Sequence, residues 1–155
     1  MKKIKLLFTM ALMVFAAFAV QAQTPLCTPN NAGNGQSATF FDVEAVTAID
    51  ITSLDVSFDA LSCNVEVWTR PGSHLGNENS SAGWTMIASA TITGNGSGPG
   101  AMPTPIPVTF SVPLNAGDTQ GFHVMTTNNT AQNYTNGTGT AGVSIWAMNA
   151  DLIVY

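Results

Sequence analysis

Past Lys5 the chain carries a single basic side chain, Arg70. Phosphate backbones and anionic lipid surfaces are both held by clustered Lys and Arg, so this lack excludes nucleic acid and acidic membrane surfaces as partners. Histidine is almost as scarce, with only His74 and His123 to serve as bases. Cysteine is limited to Cys27 and Cys63, too few and too far apart for a metal motif. Beyond the N-terminus no apolar run approaches the ~20 residues a membrane helix needs. Nor does any 3.6-residue apolar stripe persist for three turns, which removes long amphipathic helices.

Present instead is an export pattern. Lys2, Lys3 and Lys5 precede an apolar run from Leu6 to Val20, and Val20 and Ala22 are small residues placed for cleavage. A charged start, a short apolar middle and a small-residue exit identify residues 1–22 as a helical signal peptide. Its removal leaves 133 of 155 residues, with Arg70 against nine Asp and Glu, a net charge of −8. The expected location is secreted, extracellular or in the cell envelope. An acidic surface of this kind suits cations and uncharged ligands such as sugars. In an exported protein Cys27 and Cys63 read first as a disulfide, tying residues 23–37, an extended N-terminal segment, to the domain that follows. Closing that loop would contribute roughly 3–4 kcal/mol in the chain-entropy account.

The domain, residues 38–155, is patterned for strands. Residues 38–46 form a first one; in 48–59, Leu54, Val56 and Phe58 alternate with Asp55, Ser57 and Asp59. Ile49 and Ile51 are out of phase with Leu54, which predicts a bulge or bend near Thr52 and Ser53. Cys63–Arg70 points Val65 and Val67 one way and Glu66 and Trp68 the other. Pro71-Gly72 ends it and a polar loop runs to Gly83. Strands follow at 84–93, 108–112 and 119–127, the second preceded by alternating Pro103, Pro105 and Pro107, which suit an edge. The polar stretch 128–140 reads as a loop, and 142–147 and 151–155 as closing strands. Short strands with turns between them predict an all-β, antiparallel two-sheet β-sandwich of jelly-roll or lectin-like type. The strand-like residues 151–155 either pair inside a sheet or are followed by further strands.

A resemblance emerges from the order of short motifs. Phe41-Asp42-Val43-Glu44-Ala45, Ile51-Thr52-Ser53-Leu54-Asp55-Val56, Val65-Glu66-Val67-Trp68 into Arg70-Pro71-Gly72-Ser73, and Trp84-Thr85 before Ala90-Thr91-Ile92-Thr93 come first. Pro103-Thr104-Pro105, Ala116-Gly117-Asp118-Thr119-Gln120-Gly121-Phe122 and Tyr134-Thr135-Asn136-Gly137 complete the series. Across most of 38–152 the chain resembles uncharacterised exported β-sandwich domains of Bacteroidetes-type and planctomycete-type secreted and surface proteins. The resemblance implies a sandwich often found beside other modules, and brings no catalytic residues. Relatives continue through one or two more strands with an Arg-Val-Trp-Asn-Gly-like segment, which implies that the domain here is truncated at its C-terminus.

Chemistry-bearing constellations are sparse. A hydrolytic triad needs a nucleophile beside a base; His74 lies in a loop and His123 on a strand face, as ordinary histidines do. Glycoside hydrolysis needs paired carboxylates, but Glu44, Glu66 and Glu78 fall in separate segments. Calcium is the cation the composition suits, with Asp42, Glu44, Asp118 and Asp151 as candidate ligands; solvated charges that keep strand edges apart are the plainer account. The Gly94–Gly100 spacer lacks the Lys-Ser/Thr of a phosphate loop, and sequons at Asn79, Asn95, Asn128, Asn133 and Asn136 match what an Asn/Thr-rich composition gives by chance. Trp68 and Trp146 are each out of phase with neighbouring aliphatics, Val65 and Val67, or Val143 and Ile145. That places both indoles on an outer face, where sugar rings stack, with Arg70 and His123 beside them as ligand contacts; the alternative is that they cap the fold under a loop. The expectation is a non-catalytic secreted or cell-surface module, structural or adhesive, binding glycans or other surface proteins without a resident cofactor. A fragment or accessory module of a secreted hydrolase is the second reading.

Overall fold

A computed structural model describes residues 25–28, 34–128, 130–135 and 138–155. The signal peptide expected at 1–22 lies outside the described residues. In chain order the strands are β1 (Asn34–Gln36), β2 (Ala38–Ala45), β3 (Ile49–Ile51), β4 (Asp55–Val56), β5 (Ser62–Pro71) and β6 (Thr85–Thr93). After them come β7 (Thr104–Pro105), β8 (Val112–Leu114), β9 (Thr119–Thr126), β10 (Gln132–Tyr134), β11 (Ala147–Met148) and β12 (Leu152–Val154). Among the described residues there is no helix, and so none long and apolar enough to cross a membrane. The protein is all-β.

Six strands form one antiparallel sheet in the order β11-β12-β2-β9-β5-β6. Three two-stranded pairs, β3–β8, β4–β7 and β1–β10, accompany it. Alternation decides which face of the large sheet is apolar. Val43 and Ala45 of β2, Cys63, Val65 and Val67 of β5, Ile92 of β6, and Phe122 and Val124 of β9 are buried in one cluster. Ile49, Val112 and Leu114 from β3–β8 join the same cluster, as do Phe58, Ile106 and Phe110. Polar groups on this side are paired: Gln120 Nε2 donates to Thr69 Oγ1 at 2.7 Å, and that hydroxyl donates to the Gly121 carbonyl at 2.9 Å.

Where a bulge or bend within one strand over 48–59 is expected, near Thr52 and Ser53, the strand is instead interrupted, separating β3 from β4. Between β11 and β12 the chain turns at Asn149, whose Oδ1 accepts the Asp151 and Leu152 amides at 2.8 and 2.9 Å. Strand β12 sits between β2 and β11, an interior place in the sheet.

Four further expectations are corrected. Residues 108–111 are not a strand; only Val112–Leu114 pairs, against β3. The polar stretch 128–140 contains β10, which pairs with β1 in the N-terminal segment read as merely extended. Residues 142–146 are not a strand: Gly142 has φ +67°, and the Thr140 carbonyl takes the Val143 and Ser144 amides in a turn. Cys27 and Cys63 are not bonded; Cys27 is exposed, whereas Cys63 is buried on β5. Burial raises the Cys63 thiol pKa, as expected for a small apolar filler.

Candidate functional site

The second face of the sheet carries a different population. Register places Phe40 of β2 opposite His123 of β9, and His123 opposite Trp68 of β5, so three rings lie side by side across three strands. One step along, Asp42, Gly121 and Arg70 form the next row, and Glu66 faces Met125 in the row before. The Phe40 and His123 rings stack with centroids 4.0 Å apart and planes 11° from parallel.

The segment from Gly72 to Trp84 folds down over these rows. Gly72 takes φ +75°, a left-handed turn that an L side chain resists, and the chain reverses there. Asp42 then fastens the base of the loop. Its Oδ1 accepts the His74 amide at 2.8 Å and lies 2.8 Å from His74 Nδ1, while Oδ2 accepts the Ser73 hydroxyl. Asp42 and His74 are 3% and 6% exposed, so this is a buried pair whose members satisfy each other. Gly121 makes the approach possible. A Cβ there would lie 3.0 Å from the His74 nitrogen and 3.1 Å from both Arg70 Cγ and the Gly72 carbonyl.

At the far end of the loop Trp84 returns to the sheet. Its ring meets Phe40 and His123 edge-on, each at 5.8 Å, and the Arg70 guanidinium carbon is 5.8 Å from its centroid. Both indole N–H groups in this region are already engaged: Trp84 Nε1 donates to the Asn77 carbonyl at 3.1 Å, and Trp68 Nε1 to Glu66 Oε2 at 2.9 Å. With their polar handles occupied, the two indoles offer hydrocarbon surface to whatever lies between them.

Between the rings and the loop is a cavity of about 360 Å³, lined by Phe40, Trp68, Trp84, His123 and Met125 below and by residues 78–81 above. Aromatic walls with a few polar groups at the rim, at a volume near ~300 Å³ and above, are the general form of a small-molecule site. Burial pushes the His123 pKa below its ordinary 6.5, with the Glu66 charge opposing, which favours the neutral imidazole. Its Nε2, and Nε and Nη1 of Arg70, are buried without a hydrogen-bond partner among the described residues.

Of the residues singled out from sequence, Trp68 and His123 line the cavity, and Arg70 contacts the Trp84 ring without lining the cavity itself. Trp146 lies apart, 38% exposed before edge strand β11, and the aliphatics expected to face the core beside it, Val143 and Ile145, are 69% and 50% exposed. The four calcium candidates are scattered among separate partners. Asp42 holds the loop, Glu44 Oε2 accepts from Tyr155 at 2.8 Å, Asp118 closes its own turn onto the Asn115 amide, and Asp151 takes the Thr47 hydroxyl. Among the described residues no three His, Cys, Asp or Glu gather as a metal group. Sequence reasoning left Phe40 and Trp84 out of the candidate site and took His74 for an ordinary loop histidine. The parity that put Trp68 and His123 on one face applies equally to Phe40. No protein-family model matches the chain, and no curated protein matches it.

Proposed function

We propose that this is an exported, non-catalytic β-sandwich module of a secreted or surface protein that holds a sugar residue in the cavity beneath the 72–84 loop. In this reading the short pairs β3–β8 and β4–β7 act as the second layer, covering the apolar face of the large sheet. The opposite face is left free for a ligand.

One observation carries the proposal. Trp68 and Trp84 both line the cavity with their N–H groups bonded to protein, so what they present is rigid apolar surface. The CH-rich face of a pyranose packs on such a surface, and the rim residues Glu78, Asn79, Ser80 and Ser81 are the donors and acceptors that hydroxyls use. Ser73 and His74 argue against hydrolysis. Both address Asp42, whereas a triad needs the hydroxyl on the histidine and the histidine on the acid.

Glycan-array retention of the wild type against Trp68→Ala is the test. Losing one aromatic stacking partner is expected to weaken binding by roughly tenfold or more. An array on which the wild type retains no glycan refutes the proposal.

A further inference from the structure

We propose that the sugar held under the 72–84 loop carries a positive charge, a protonated amine as on a hexosamine without its acetyl group. The inference rests on the glycan-binding reading and names its ligand class. Four rings line the cavity, two of them indoles, and a cation over an indole face is the strongest of the cation–π arrangements. One carboxylate lines the cavity with them, and a second lies behind its Trp68 wall. Glu78 stands at the rim with no hydrogen-bond partner among the described residues, and Glu66 is held against Trp68 Nε1.

Little positive charge opposes these groups. Burial favours the neutral form of His123, and Arg70, the sole Lys or Arg past Lys5, is 5.8 Å from the Trp84 centroid and does not line the cavity. A uronic acid would bring its carboxylate against Glu78, the carboxylate that lines the cavity. An uncharged hexose would leave the Glu78 charge unused. An ammonium group meets both the ring faces and the carboxylate, and the net charge of −8 outside residues 1–22 draws cations toward the molecule from a distance.

The experiment compares methyl glucosaminide, its N-acetylated form and methyl glucoside by NMR titration at about pH 6.5, where the amine is protonated. Wild type, Glu78→Gln, Trp68→Ala and Asp55→Asn are measured, the last removing an equal charge from exposed β4 as a control. The glucosaminide is expected to bind roughly tenfold more tightly than either neutral sugar, with Glu78→Gln removing most of that preference and Asp55→Asn little of it. Equal affinity for all three sugars, still abolished by Trp68→Ala, overturns the charge inference and leaves the glycan reading standing. A Glu78→Gln effect no larger than that of Asp55→Asn overturns it too. Binding of none of the three overturns the charge inference, and an empty glycan array beside it overturns the glycan reading as well.

Discussion

The two faces of the six-stranded sheet are made from the same strands and differ in how they satisfy burial. On one, Val43, Val65, Val67, Phe122 and Val124 are buried among other apolar side chains, each 4% exposed or less. On the other, a polar loop is drawn down by a buried Asp–His pair, and aromatic rings are left with open space beside them. The first face is stabilised by non-directional packing, which tolerates a volume-conserving swap and resists a cavity. The second depends on a few directional contacts, and loss of any one is a local event.

The sharpest way to break this contrast is Phe122→Ala. Phe122 is fully buried, and truncation at such a site costs about 3–5 kcal/mol, so the variant is expected to unfold far earlier in urea, if it folds at all. Asp42→Ala ranks second. It leaves the buried His74 and Ser73 groups without their acceptor, at about 1–3 kcal/mol, and should free the loop while keeping the sheet. Hydrogen exchange would register this as lost protection at the His74 amide with the β5 and β9 amides unchanged; global loss would contradict the local account.

The smallest effect is one of pH. Because burial lowers the His123 pKa in the folded protein, the unfolded chain takes up its proton first as pH falls through 6.5. The stability His123 contributes is therefore complete above that pH and is lost progressively below it. Urea midpoints at about pH 7.5 and pH 5 should differ more for the wild type than for His123→Phe, which keeps the stack on Phe40. Equal differences would remove His123 from the account.

How far these faces were legible in the sequence follows from the same contrast. Alternation of Val65 and Val67 with Glu66 and Trp68, and of Phe122 with His123, assigns both faces of β5 and β9 correctly, because period two is a local property. The same logic failed at Val143, Ile145 and Trp146, where Gly142 and the Thr140 carbonyl make a turn and alternation carries no information. Strand β10 escaped notice because Gln132, Asn133 and Tyr134 are polar and gain their order from β1, nearly a hundred residues away in sequence. The cysteine pair misled for a different reason: spacing allows a bridge, while Cys63 is enclosed by the core and Cys27 is exposed. Phe40 was readable by parity, but the descent of Ser73 and His74 onto Asp42 was not, since it is a contact between segments about thirty residues apart.

Gly121 turns that contact into a handle. Its single hydrogen is the clearance on which the height of the ceiling rests, since any larger group would press on His74 and Arg70 from beneath. Because position 121 lies on the face away from the apolar cluster, a graded series of side chains there would act as a jack, tilting the canopy in steps while the foundation stays put.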